Sequence, residues 1–286
     1  MPFLLRLLAR FPLPLIHLLG ALIGLLALLR GRHRRIMREN LRTAGLDRPG
    51  MVLAASIEFG KGVVELFPVW LRPYDQILRW VREVHGWEHV EAALARGKGV
   101  IVLGPHLGCL ELAGLYIASR LPITALYSQP RQDWVHAMMQ AGRNRGKAQM
   151  VEPSLKGVRA LLTALRRNEA AWVLPDQTAN RGDGQWMRLF GRWAYMPTLF
   201  YRLQSATSAA PLIFAGERLP FGRGYRLWIE PLPELPAEAG RAAEVVNGSI
   251  EAMIRRFPAQ YLWSYRLYRF QADVPPPPGE ASGVTS

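Results

Sequence analysis

Five short apolar runs, rich in β-branched and aromatic residues, recur at 99–104, 122–127, 170–175, 210–215 and 225–230 of this 286-residue chain. Stretches of helical length, at 108–119, 133–146, 154–168 and 197–208, separate several of them. Short apolar runs of this kind read as largely buried strands. Their interleaving with helices predicts an α/β fold with a mixed central sheet flanked by helices. A further helix is expected over 51–70, with Glu58 and Glu65 on otherwise apolar turns, and an amphipathic one over 242–257. Residues 273–286, rich in proline and small side chains, have nothing to bury and are expected to form a disordered tail.

The amino terminus obeys a different pattern. Nineteen uncharged residues, 11–29, lie between Arg10 and Arg30. At about 1.5 Å per residue such a run spans roughly the hydrocarbon core of a bilayer. Pro12 and Pro14 suit the first turn of a helix and no later position. Two arginines precede the run and six follow within 30–42, with no small-residue cleavage site behind it. That asymmetry predicts an N-terminal membrane-anchoring helix, residues 1–30, with the remaining chain on the cytoplasmic side. A shallow interfacial position and a buried helix of a soluble domain are the competing readings. His17 and the prolines weaken a full span.

The net charge of +14 falls in two blocks. Residues 1–42 carry eight arginines against one glutamate, and 131–192 carry eleven basic residues against five acidic ones. Such blocks suit anionic lipid, phosphates or an acidic protein. The aromatic–basic stripe of a nucleic-acid module is absent, so nucleic acid is not expected as a partner. A single cysteine, Cys109, excludes an internal disulfide framework, and no histidine spacing suggests a metal site.

The candidate active centre is the strand-to-helix turn at 99–119, reading GVIVLGPHLGCLELAGLYIAS. It places His106 beyond the carboxyl end of a buried strand, where α/β folds gather their sites. With His106 in the turn and Glu111 in the first helical turn, Glu111 is expected to accept from one ring nitrogen. The other nitrogen is then free to take a proton from an attacking hydroxyl. Cys109 reads as a small packing residue rather than a nucleophile. Asp176 and Gln177 also follow an expected strand, and the dipeptide alone reads equally well as a turn with a helix cap.

His106-Leu107-Gly108-Cys109-Leu110-Glu111 resembles the His-x4-Asp/Glu motif of the lysophospholipid acyltransferase-like families, and above all of the lipid A biosynthesis acyltransferases. Cys109 stands where that family usually carries asparagine. The resemblance continues, in order, through Arg38-Glu39-Asn40-Leu41, Arg143-Asn144-Arg145-Gly146, Pro175-Asp176-Gln177, Leu189-Phe190-Gly191 and Pro258-Ala259-Gln260-Tyr261-Leu262-Trp263. It implies a glycerolphosphate acyltransferase-like domain over 31–272. The implied reaction moves a fatty acyl chain from an acyl carrier protein thioester to a hydroxyl of a phosphorylated lipid A precursor. No metal or cofactor is implied, and the location is the cytoplasmic face of the inner membrane. His106 and Glu111 are implied as the catalytic pair. Gly108, Arg131, Arg143, Arg145, Asp176 and Gln177 are implied as substrate contacts, with Asp176 orienting an arginine or the sugar. Another phospholipid or glycolipid acceptor, or a basic membrane-tethered binding protein, remain as alternatives.

Overall fold

The computed structural model describes residues 2–130, 132–236, 238–269 and 273–279. Four helices come first: α1 (Pro2–Leu8), α2 (Leu13–Ala27), α3 (Gly31–Thr43) and α4 (Met51–Leu71). After them follow α5 (Tyr74–Leu78), β1 (Val81–His85), α6 (Trp87–Ala95), β2 (Val100–Leu103), α7 (Leu110–Arg120), β3 (Ile123–Leu126), α8 (Asp133–Arg143), β4 (Ala148–Val151), α9 (Leu155–Arg166) and β5 (Ala170–Val173). The chain continues through β6 (Gly184–Leu189), β7 (Arg192–Pro197), α10 (Leu199–Thr207), β8 (Ala210–Arg218), β9 (Tyr225–Pro231) and α11 (Ala239–Arg256).

Seven strands form one sheet in the order β1-β9-β8-β2-β5-β3-β4. All neighbours are parallel except β8 and β9, which form an antiparallel hairpin, so the sheet is mixed as expected. β2 sits in the middle and is buried throughout. Ile101 and Leu103 point into a core with Leu161, Phe200, Ile213 and Ile250, whereas Val100 and Val102 point to the opposite side among Ile117, Ile123 and Phe214. Each such side chain contributes roughly 1.5–3 kcal/mol of burial. Two buried faces leave no room for polar alternation, which explains the unbroken apolar run. β1 and β4, the two edge strands, read VREVH and AQMV and are only half buried. They lack that signature, and neither belongs to the five apolar runs. β6 and β7 form a separate hairpin whose two connecting residues, Phe190 and Gly191, both have positive φ.

The amino-terminal run departs from the expectation of a single anchoring helix. α2 covers 15 residues, begins after Pro12, and is followed by α3 at an angle of 96°. No single helix among the described residues is long and apolar enough to cross a membrane. Instead α2 lies along α4, backbone against backbone: a Cβ at Gly24 would collide with the Ser56 carbonyl, and one at Gly60 with Gly20 and Gly24. The Ser56 hydroxyl donates to the Gly24 carbonyl at 2.7 Å. The helix therefore buries Leu13, Ile16, His17, Gly20 and Gly24, yet its other side presents Leu15, Leu18, Leu22, Leu26 and, just beyond it, Leu29 to the outside. Pro12 and Pro14 do occupy the start of α2, where a missing N–H costs nothing.

Candidate active site

β2 and β5 are parallel neighbours in register, with Leu103 opposite Val173. Three residues beyond each strand end lie His106 and Asp176, which the shared register brings side by side. The Asp176 carboxylate accepts the His106 backbone N–H at 2.8 Å through Oδ2, and its Oδ1 lies 2.8 Å from the ring Nδ1. The nearby Tyr261 hydroxyl also helps to hold the Asp176 pKa down. Asp176 is buried, whereas the imidazole stays 21% exposed toward a cavity. The Gln177 amide nitrogen sits 3.0 Å from Nε2. The ring is thus fixed in the tautomer that carries its proton on Nδ1, with the Nε2 lone pair facing outward.

This geometry corrects the expected His–Glu hydrogen bond. Glu111 does lie in the first turn of α7, but its carboxylate turns away from the ring. It accepts from Arg143 Nε at 2.9 and 3.1 Å, from Arg143 Nη2, and from the Trp70 indole at 3.0 Å. Glu111 acts on His106 only through its charge. Asp176, expected to orient an arginine or the sugar, orients the histidine instead, with no arginine among its partners in the described residues. Burial alone would lower the His106 pKa. The charge and hydrogen bond of Asp176 outweigh that, Glu111 adds to them, and the ring titrates above its ordinary value. Burial likewise works against the Asp176 carboxylate, but His106 holds its pKa below the usual range.

The two arginines of the Arg143-Asn144-Arg145-Gly146 block part company. Arg143 lines the cavity, stacked near the rings of Trp70 and Tyr127 at 5.8 and 5.3 Å, and its Nη1 has no partner among the described residues. Arg145 spends its donors on backbone carbonyls, Gly142 and Arg72 at 2.7 Å each and Val69 besides. It ties the end of α8 to the end of α4 and, unlike Arg143, is not among the residues that line the cavity. Arg131 lies outside the described residues. Gly108 borders the cavity with φ +62°, and a Cβ there would strike the Gly216 carbonyl, so glycine alone fits this crossing of turn and strand.

Three groups lie in blocks quoted above to which the sequence assigns no role. Gln260 imitates a strand: its side chain bridges the Arg218 N–H and carbonyl at 2.7 and 2.9 Å, and its own carbonyl receives the Gly108 N–H at 3.0 Å. Leu262 N–H donates to the His106 carbonyl at 3.0 Å. Asn40 of α3, buried, donates to the Trp263 and Tyr265 carbonyls at 2.7 Å each. The recurrent blocks at 38–41 and 258–263 therefore brace the histidine turn from behind. Their amide side chains were the available signal, since buried amides need partners.

The cavity beside His106 has a volume of about 580 Å³. Near the ring it is polar, with Glu111, Arg143 and Gln260. Farther in, Leu110, Ile123, Leu126, Met150, Trp172 and Leu174 make it apolar. Gly114 keeps it open over the Trp172 indole, since a Cβ there would come within 2.9 Å of the ring. Cys109 is buried beneath, and burial followed by the Glu65 charge pushes its thiol pKa well up, so it stays protonated. A second, basic cleft of about 450 Å³ lies at the start of α3, lined by Arg30, Arg32, His33, Arg266 and Arg269.

His106, held on the buried Asp176 carboxylate, opens on a largely apolar cavity, and comparison places the chain among the acyltransferases. The family model for bacterial lipid A biosynthesis acyltransferase matches residues 2–270, and the chain belongs to that family. It is 29% identical over 281 residues to the lipid A biosynthesis palmitoleoyltransferase of Escherichia coli strain K12, covering 96% of this chain and 89% of the relative. The lauroyltransferase of the same organism is 28% identical, with 94% and 90% covered. A lipid A biosynthesis acyltransferase of Haemophilus influenzae is 26% identical over 193 residues, 67% of this chain and 60% of its own.

Proposed function

We propose that the protein transfers a fatty acyl chain from an acyl carrier protein thioester to a hydroxyl of a phosphorylated lipid A precursor, at the cytoplasmic face of the inner membrane. The observation that carries this reading is His106 Nε2, held by Asp176 behind it and turned toward the polar end of an otherwise apolar cavity. The acceptor hydroxyl displaces the Gln177 amide from Nε2 and gives its proton to that nitrogen as its oxygen attacks the thioester carbonyl. The carbonyl oxygen gathers negative charge beside Arg143, whose free Nη1 offers a charged donor. Collapse of the tetrahedral intermediate breaks the carbon–sulfur bond, and the leaving thiolate takes the proton from the imidazolium. An ester and a free carrier thiol result, with His106 regenerated.

Glu111 serves this step by fixing Arg143, and Asp176 stabilises the imidazolium. The fatty chain occupies the apolar stretch past Gly114 and Trp172. Gly108 and Gln177 border the reacting groups. An acidic carrier suits the basic block at 131–192, and a lipid acceptor suits an enzyme whose α2 leaves a row of leucines bare. That row supports an interfacial position for residues 1–30, with the arginines after it gripping anionic lipid.

The test is direct. Purified protein in detergent, given acyl carrier protein loaded with chains of several lengths and a lipid A precursor, should yield a product heavier by one acyl chain in mass spectrometry. His106→Ala should form it about 10²–10⁴-fold more slowly. Transfer from every donor to a glycerophospholipid, with lipid A precursor left untouched, would overturn the acceptor.

A further inference from the structure

Two phenylalanines of this protein adopt the left-handed backbone region, which bulky side chains avoid. Phe190, at φ +50°, repays that strain inside the fold: it is 7% exposed, its ring lies 5.7 Å from Trp263, and its N–H donates to Glu251 at 2.6 Å. Phe221, at φ +58°, has the same strain and no such return. It is 88% exposed, the highest value of any large hydrophobic residue described. It sits at the tip of the β8–β9 hairpin, in Leu219-Pro220-Phe221-Gly222-Arg223-Gly224. Gly222 and Gly224 take positive φ as well, so the whole turn is shaped to hold the ring outward. Backbone strain that no protein contact repays is a mark of function rather than of folding.

The surroundings name the partner. The hairpin tip packs on the start of α2, with Gly222 against Pro14. Phe221 therefore adjoins the place where the bare row of α2 begins, with exposed Phe11, Leu15 and Leu18. Exposed Arg82 and Arg223 flank it, Arg82 donating to the Arg223 carbonyl at 2.9 Å. An isolated aromatic ring on a rigid turn, beside an apolar helix face and rimmed by arginines, matches the boundary between headgroups and acyl chains in an anionic bilayer.

We infer that the β8–β9 turn is a second membrane contact, with Phe221 inserted among the acyl chains beside α2. This inference rests on the interfacial reading of α2 above. It adds a sheet-borne point of attachment to the helical one, which fixes how the catalytic domain is rolled against the bilayer and hence where its cavity opens.

The single, buried, protonated Cys109 makes the test clean, because a cysteine introduced at the surface is the only thiol that a polarity-sensitive fluorophore should label. Full-length Phe221→Cys and Leu18→Cys proteins, with the unmodified protein as the labelling blank, are mixed with phosphatidylglycerol–phosphatidylcholine vesicles whose acyl chains carry bromine. Both labels should shift to the blue and be quenched. Quenching at Leu18 but not at Phe221 overturns the inference and leaves the α2 reading standing. Quenching at neither overturns both. A blue shift at Phe221 that needs no lipid and grows with protein concentration assigns the turn to a second copy of the chain, and also overturns it. Phe221→Asn supplies an independent measurement, since asparagine tolerates the left-handed region. It should keep or raise the melting temperature while weakening vesicle binding about tenfold. A lower melting temperature with unchanged vesicle binding would make Phe221 a folding residue.

Discussion

Two arginine–glutamate pairs border the same cavity and are built differently. Glu65 and Arg218 are 1% and 2% exposed at their side chains, Glu111 and Arg143 are 16% and 25%. The inner pair is saturated: Glu65 accepts from Arg218 at 2.5 and 2.8 Å and from Tyr225 at 2.7 Å, lies 3.2 Å from His17, and Arg218 gives its remaining nitrogen to Glu58 at 2.6 Å. Its partners come from α2, α4, β8 and β9, so it locks the amino-terminal helix to the sheet. The outer pair keeps one guanidinium nitrogen unpartnered among the described residues and stands within electrostatic reach of His106. One ionic motif thus does two jobs, and the spare donor tells which is which. A pair with every guanidinium nitrogen engaged holds the fold, while a pair with one nitrogen left over among the described residues can meet a substrate.

The sharpest break between the two should come from the histidine that only the outer pair addresses. His106→Ala removes the base and is expected to lower the transfer rate by about 10²–10⁴-fold, with far-ultraviolet circular dichroism unchanged. A loss under tenfold would mean that the acceptor hydroxyl reacts without it. Next in size, Arg143→Gln should lower kcat about 100-fold, as loss of one preorganised charged donor does, and Glu111→Gln somewhat less, because Arg143 then keeps its charge but not its aim. Single-turnover assays with the acyl carrier donor measure both. Equal losses in KM alone would make the outer pair a binding clamp.

The inner pair should fail in the opposite currency. Glu65→Gln leaves Arg218 buried with half its counter-charge and is expected to destabilise the fold by about 3–5 kcal/mol, read by urea unfolding, while the rate per folded molecule changes less than for Arg143→Gln. Burial raises the Glu65 pKa, but the Arg218 charge and hydrogen bonds drive it far below the usual carboxylate range. A depressed pKa contributes stability above the ordinary carboxylate value that is lost as pH falls, so the pair should weaken only on acidification.

How legible this was in the sequence differs between the two as well. The buried runs announced β2, β3, β5, β8 and β9, and the turn after β2 announced His106. What the chain could not announce was which strand lies beside β2. Once β5 does, in register, Asp176 falls against His106 and Glu111 is released to Arg143. Proximity along the chain points to Glu111, whereas Asp176 requires proximity across the sheet. The hairpin β6–β7 stayed hidden because its turn, Phe190-Gly191, lacks the Asn-Gly or Asp-Gly that usually signals two positive φ values, and Trp263 makes the phenylalanine tolerable there. The amino-terminal run was visible as apolar, but its docking depended on Gly20, Gly24 and Gly60 meeting across 36 residues of chain.

The finest prediction concerns the two side chains that hold His106 from opposite sides. Asp176 stabilises the charged ring through Nδ1, and the Gln177 amide, donating to the Nε2 lone pair, stabilises the neutral one. The base works only when neutral, so the rate should rise with pH through the His106 pKa, an acid limb lying above the ordinary imidazole value of about 6.5. Asp176→Asn should move that limb down and cost about tenfold to 100-fold at neutral pH. Gln177→Leu should move it up, with only a few-fold change at its plateau because the acceptor displaces that amide anyway. The sign for stability follows the same partners. The raised His106 pKa contributes stability below the ordinary imidazole value and loses it as pH climbs through the raised one, whereas the depressed Asp176 pKa contributes above the ordinary carboxylate value. The dyad therefore holds the turn best between those limits, and it becomes active only as its own stabilisation starts to fade. Shifts of the limb in the same direction for both variants would place the Gln177 carbonyl, rather than its amide nitrogen, against the ring.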